Sequence, residues 1–179
     1  MGSFDNLLQP GRIGKMEVRN RIVMAPMGSN FAEADGTCGE RIQAYYEARA
    51  AGGAGLLTMG VVSIAYPHGT AEPYQVGLSD DKFIPGLKGI VDRVHKHGAK
   101  IAAQLHHGGL VAGYSADAFD EELWAPCYPP PFKGDFIDYF LPEEMKAFSG
   151  KVPAIRLLTH EDIDRVVEQF GAAAARAKQ

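Results

Sequence analysis

Cysteine is scarce in this 179-residue chain: Cys38 and Cys127 stand far apart and form no CxxC pair. They read as two reduced thiols of a cytoplasmic protein, with an intramolecular disulfide as the alternative. No run of about 18 apolar residues occurs, so no membrane span is expected. The start, Met1-Gly2-Ser3-Phe4-Asp5-Asn6, lacks the basic and then apolar segment of a secretory signal. Asn6 also stands where N-myristoylation of Gly2 would want Ser or Thr. Charge of one sign is missing too. Eighteen Lys and Arg against 22 Asp and Glu give a net charge of −4, which leaves no basic footprint for nucleic acid or an anionic membrane. What remains is 46% hydrophobic and 22% charged, a composition that excludes collagen-like, low-complexity and disordered classes. The chain can bury a core, its length suggests about one domain of ~150 residues, and small molecules or proteins are the expected partners.

The hydrophobic pattern alternates. Residues 11–20, GRIGKMEVRN, fit a small β-hairpin turning at Gly14-Lys15. Arg21 to Ala25 is a continuous apolar run stopped by Pro26, the pattern of a strand covered on both faces. From Gly39 to Ala51, Ile42, Tyr45, Tyr46 and Arg49 recur at helical spacing, and Gly52-Gly53 ends the helix. Leu56 to Ile64 is a second buried strand. A helix follows over Asp80 to His97, with Ile84, Leu87, Ile90, Val91 and Val94 on one stripe and Gly98 as its stop. Lys100 to Leu105 is the third strand. Strand, helix, strand, helix, strand predicts right-handed βαβ units and a parallel sheet.

Residues 106–158 break this rhythm with Gly108-Gly109, six prolines and scattered aromatics, including Trp124 and Tyr128. Too apolar for a linker, the segment reads as a long excursion over the face formed by the carboxyl ends of the strands. Regularity resumes at Thr159, an N-cap for a helix whose stripe is Ile163, Val166, Val167, Phe170 and Ala174.

In parallel α/β architectures ligands bind at the carboxyl ends of the strands. Three unusual clusters fall there: Pro26-Met27-Gly28, Gly60, and Gln104 followed by His106-His107. Gly28 and Gly60 leave room for a flat ligand against main chain. The Gln104 amide, one acceptor group and two donors, can pair with a heteroaromatic edge that alternates N–H and C=O, the pattern of a flavin's pyrimidine side. Taken singly, Gly60 fits a packing glycine and Gln104 a hydrogen-bonded plug of the interior. Their coincidence favours a ligand. Adjacent His106 and His107 point to opposite sides of an extended chain and rarely share one metal ion, although one of them with His68 stays open. One imidazole is expected to line the pocket while the other packs or donates to backbone.

The stretch F-x-x-L-L-x-P-x-x-I-G-x-x-x-V-x-N-R-I-V-M-A-P-M, Phe4 to Met27, resembles the N-terminus of the Old Yellow Enzyme family of FMN-dependent ene-reductases. Ala25 to Gly36, then Glu40-Arg41 and Tyr45-Tyr46, is similar to the branch of 2-enoate and 2,4-dienoyl-CoA reductases. Gln104 to Leu110 resembles the family's Q-L-x-H-x-G-R, and Arg156 to Ile163 its R-x-L-T-x-E-D-I. The resemblance implies that residues 1–179 are the N-terminal part of one FMN-binding TIM barrel, an α/β fold of which three βα units and the floor hairpin are present. It implies that Ala25, Pro26, Met27 and Gly28 flank the isoalloxazine, that Gly60 lies under its edge, that Gln104 binds its pyrimidine side, and that His106, with His107 beside it, borders the substrate pocket. NAD(P)H is the implied hydride donor and an unsaturated carbonyl or acyl-CoA compound the implied substrate. A 4Fe–4S cluster and FAD would belong only to a C-terminal part outside this chain.

Three departures stand out. Gly28 replaces a Thr or Cys, Leu110 replaces the motif's Arg, and the excursion is long. A TIM barrel takes ~250 residues and eight strands, so the carbonyl-gripping and proton-donating residues are expected elsewhere, in cis or on a second chain. Alone, the chain is not expected to complete catalysis, and its uncovered sheet edge and apolar face predict an oligomer. The competing readings are a non-catalytic half-barrel docking module, with the Trp124 region as partner surface, and a metal-dependent TIM hydrolase using His68, His106 or His107.

Overall fold

Gly14 turns the chain back with φ +58°, a backbone state that costs glycine little, and closes the expected hairpin. Its strands, β1 (Gly11–Ile13) and β2 (Met16–Val18), pair antiparallel with Gly11 opposite Val18. A one-turn helix, α1 (Asp5–Leu8), precedes them. The computed structural model describes residues 4–128 and 154–179.

The strand expected over residues 21–25 is shorter, β3 (Val23–Met24), in register with Leu56 and Leu57. Pro26 brings no N–H to extend the ladder, and the Arg21 N–H is already donated to the Leu7 carbonyl at 2.8 Å. Then comes α2 (Glu40–Ala51), which buries Ile42, Tyr46 and Ala50 at four-residue spacing. Tyr45 lies on the flank, edge-on to Phe31, and Arg49 stacks over the Tyr45 ring at 3.3 Å. The helix stops where Gly53 adopts φ +110°.

The central strand, β4 (Leu56–Ser63), pairs parallel along its length with β6 (Lys100–His106). Its other edge carries β3 at the start and, at Val62 and Ser63, a short strand β5 (Val76–Gly77) that the sequence pattern did not announce. The helix expected over 80–97 resolves into a 3-10 turn, Asp81–Phe83, and α3 (Ile84–Lys96). Asp80 caps the turn by accepting the Lys82 N–H, Pro85 sits in the first helical turn, and Gly98 ends the helix at φ +71°. Helices α2 and α3 cover one face of the sheet, where Ile42, Tyr46, Leu57, Met59, Val62, Phe83, Ile90 and Val94 form the core. Cys38 is buried in it, which pushes its thiol up to about 12, while Cys127 is exposed; both are free.

A long ordered excursion was expected over 106–158, and its described parts form short regular elements. A 3-10 turn, Gly109–Val111, leads to α4 (Gly113–Phe119) and to β7 (Leu123–Ala125), which pairs parallel with β8 (Ile155–Leu157). Two three-residue strands thirty positions apart carry no periodicity of their own, so only their pairing reveals them. Residues 129–153 of the expected excursion lie outside the described residues. The last helix, α5 (His160–Ala177), starts on Thr159, the expected N-cap, which the structure shows as a full capping box: its Oγ1 accepts the Asp162 N–H while Asp162 accepts the Thr159 N–H. Its stripe does not face the core as a whole. Val166 packs inward, but Ile163, Val167 and Phe170 are 44%, 64% and 37% exposed. No described helix is long and apolar enough to cross a membrane.

Arg19 ties the floor to both helices. Its guanidinium donates to the carbonyls of Ala50 (2.5 Å) in the last turn of α2, of Ala54 (3.0 Å) just beyond it, and of His97 (2.5 Å) beyond α3. Helix C-termini present unpaired carbonyls and partial negative charge, which a cation satisfies. Arg19→Ala should therefore destabilise the protein by about 1–2 kcal/mol, and Arg19→Lys should recover only part of that because one ammonium cannot span three carbonyls. Urea midpoints of the three proteins decide it; an unchanged midpoint in Arg19→Ala would remove the clamp.

Candidate active site at the strand carboxyl ends

Three strands deliver the site residues to one rim. Beyond β3 the chain runs through Ala25, Pro26, Met27 and Gly28, all exposed, and Gly28 forms a parallel bridge with Gly60 of β4. Gly60 is buried and sits at a register shift between Met59 and Val62, so the strand runs past it to Ser63 instead of ending there. A Cβ at Gly60 would lie 2.7 Å from Gln104 Oε1, 2.8 Å from Pro26 Cβ and 3.1 Å from the Met27 nitrogen. Pro26, Met27, Gly60 and Gln104 thus converge within van der Waals reach.

Alternation along β6 aims Gln104 outward. Ile101, Ala103 and Leu105 pack against the core, while Ala102 and Gln104 are exposed on the other face. The Gln104 amide has no hydrogen-bond partner among the described residues, so its carbonyl and NH2 are free for a ligand. The result is an open shelf of main chain with a donor–acceptor pair at its edge. A cavity of about 360 Å3 lies elsewhere, on the helix side of the sheet, lined by Met59, Leu87, Ile90 and Ile101 together with Lys88, His95, Arg176 and Lys178.

The two histidines part company, as adjacent residues on an extended chain do. His106 Nδ1 lies 3.5 Å from Nε2 of Gln75, a side chain only 2% exposed whose Oε1 accepts the Ala71 N–H at 2.9 Å. Burial lowers the His106 pKa, and a neutral ring accepting at Nδ1 fits this contact. His107 turns instead to the excursion. Its ring lies 5.5 Å from Trp124 and 6.1 Å from His68, and its Nδ1 accepts the Gly109 N–H at 3.1 Å. Burial first, then His68 and His106, hold its pKa down to about 4. His68 pairs through Nδ1 with Glu121. Among the described residues no group of three or more His, Cys, Asp and Glu could hold a metal ion.

Sequence reasoning missed the loop that reaches the rim from between β4 and β5. Asn30, at φ +54°, accepts the Tyr74 N–H through Oδ1 at 2.7 Å, and Ala32 donates to the Tyr74 carbonyl at 3.1 Å. This double clamp sets Glu72 against Gly28: a Cβ there would lie 2.8 Å from the Glu72 Cδ and overlap the carboxyl. Only Asn at a left-handed position hinted at the clamp.

A shelf that excludes even a methyl group, edged by an unpaired amide, suits the face and edge of a flat heteroaromatic ring. A family model described as the NADH:flavin oxidoreductase / NADH oxidase family matches residues 6–179. The chain is 38% identical over 178 residues to an NADH oxidase of Thermoanaerobacter brockii, covering 99% of this chain and 25% of that protein. It is 34% identical over 163 residues to an NADPH dehydrogenase of Halalkalibacterium halodurans, covering 90% and 41%. Among solved structures, an Old Yellow Enzyme from a Pichia species superposes with a TM-score of 0.79 at 26% identity over 96% of this chain and 42% of that one. Morphinone reductase in complex with tetrahydroNAD superposes with 0.76 at 30% identity, over 97% and 46%. The chain spans between a quarter and just under half of the length of these proteins, and what it matches is part of their barrel. On residues 6–179, this chain belongs to the NADH:flavin oxidoreductase / NADH oxidase family.

Proposed function

We propose that the chain forms the N-terminal part of an FMN-dependent NAD(P)H oxidoreductase that reduces activated C=C bonds of enoates, enones or dienoyl thioesters. The convergence of Gly60, Gln104 and Pro26-Met27 carries this reading. FMN, when bound, would supply the hydride chemistry. The protein's own residues supply shape and hydrogen bonds: Ala25 to Gly28 flank the ring, Gly60 keeps the surface beneath it flat, and the Gln104 amide pairs with the pyrimidine edge. His106, whose pKa burial lowers and whose Nδ1 meets Gln75 Nε2, borders the substrate side. NADH and NADPH are named in the relatives and are the reductant class proposed here.

Completion of the barrel by further sequence, in cis or on a second chain, is part of the proposal, as is an oligomeric cytoplasmic protein. Among the described residues β6 pairs with β4 alone, and the outer stripe of α5 is exposed. Both are surfaces that a neighbouring βα unit would cover. A 4Fe–4S cluster or FAD would be held outside these 179 residues.

The test is an FMN titration of the polypeptide containing this sequence, followed by flavin fluorescence. Gln104→Ala should weaken FMN at least tenfold, about 1.4 kcal/mol, with the far-ultraviolet spectrum unchanged. Equal affinity in the two proteins would remove Gln104 from the site. No FMN binding, with or without the rest of the barrel, would overturn the reading itself.

A further inference from the structure

Among the described residues, Glu72 is the ionisable side chain packed on the proposed ring-binding shelf whose presence no part of the proposed function uses. Its carboxyl fills the space beside Gly28 into which any side chain at that position would project. Gly28 is bridged to Gly60, and Gly60 abuts Gln104 and Pro26, so the carboxyl belongs to the same rim. The placement is built into the loop. Gln75, almost fully buried, closes the Ala71–Gln75 turn through its Oε1, and the clamp of Asn30 and Ala32 on Tyr74 holds the turn against the strand end. Burial alone raises the Glu72 pKa; no ion pair or side-chain hydrogen bond accompanies the carboxyl among the described residues.

An acid without a partner, on a loop anchored at the edge of a site proposed to carry a redox ring, acts through its charge. We propose that Glu72 sets the balance between oxidised and reduced flavin on this shelf, its carboxylate disfavouring the electron-rich reduced ring, and that Gly28 is glycine because this carboxyl takes the room of a side chain. The inference rests on the flavin reading above. Its physical basis is Coulombic: a negative charge without a neutralising partner beside a group that gains electrons opposes that gain, more strongly in a partly desolvated site than in water.

The experiment compares wild type, Glu72→Gln and the remote charge control Asp92→Asn, each as the FMN-loaded polypeptide containing this sequence, at about pH 8, well above the ordinary carboxylate range. Oxidised and reduced FMN affinities are measured separately and the midpoint potential is taken by dye equilibration. Glu72→Gln should tighten reduced relative to oxidised FMN about tenfold, equivalent to a rise of about 30 mV for a two-electron couple; Asp92→Asn should leave the ratio unchanged. A ratio unmoved in Glu72→Gln, in a wild type that binds FMN, overturns this inference and leaves the flavin reading intact. Absence of FMN binding in wild type overturns the flavin reading, and this inference with it. A flavin-independent arm tests the geometry: Gly28→Ala should lower the thermal midpoint and Gly28→Ala/Glu72→Ala should restore it. Failure of that rescue removes the contact on which the assignment stands.

Discussion

Gly60→Ala is expected to cost about a hundredfold in FMN affinity, roughly 2.7 kcal/mol, and to destabilise the fold by about 1–3 kcal/mol through overpacking. The added methyl would meet Gln104 Oε1 at 2.7 Å, Pro26 Cβ at 2.8 Å and the Met27 nitrogen at 3.1 Å. One of these neighbours is a side-chain amide that can swing away; the other two are a rigid ring and main chain, tied to Gly60 by the Gly28 bridge. Relief of the clash therefore moves the Pro26–Gly28 shelf or turns Gln104 away, and either change removes the surface proposed to hold the ring. Calorimetric unfolding and FMN titration of the same samples separate the two effects. Wild-type affinity in Gly60→Ala would show that the shelf is not where the ring lies.

His107 should make stability fall with pH through the weakly acidic range. Its folded pKa, held down to about 4 by burial and by His68 and His106, lies below the ordinary histidine value of 6.5. The neutral ring is the folded form: Nδ1 accepts from Gly109 and the face packs near Trp124. Below pH 6.5 the unfolded chain takes up a proton that the folded chain does not. The contribution is thus fully present above about pH 6.5 and is lost as pH falls through 6.5 toward 4. The loss is on the order of 2–3 kcal/mol after allowing for partial exposure. His106, also lowered by burial, adds in the same sense, and Glu72, raised by burial, acts in the opposite sense. The difference between wild type and His107→Phe isolates the one ring, and it should shrink as pH falls from 7 to 5. A constant difference across that range would show that the ring is not held neutral.

How far the sequence reaches is seen in particular residues. Gly14, Gly53 and Gly98 are punctuation that works locally, through backbone states that glycine tolerates, so the hairpin and the ends of α2 and α3 were legible. The continuous apolar run of β4 was legible because a strand covered on both faces needs no polar alternation. The N-cap at Thr159 was legible for the same local reason. The outward turn of Ile163, Val167 and Phe170 was not, because periodicity shows that a helix has an apolar stripe and not what covers it. Strands β5, β7 and β8 are too short to carry a pattern, and each exists only through its partner.

The site divides in the same way. Pro26-Met27-Gly28, Gly60 and Gln104 could be read as rim residues from the rule that parallel strands end at the ligand, and the separation of His106 from His107 followed from the pleat. Glu72 could not be found so, since it lies in a loop, 44 positions after Gly28, and only the Asn30–Tyr74 clamp brings its carboxyl to that glycine. By itself, then, the amino-acid sequence determined the alternation of strands and helices, the identity of the rim and its family likeness, because these depend on interactions between near neighbours and on motifs read in order. Tertiary structure alone decided which long-range groups meet at the rim, which face of α5 stays open and how the excursion pairs, because those outcomes depend on contacts between residues that no local pattern links.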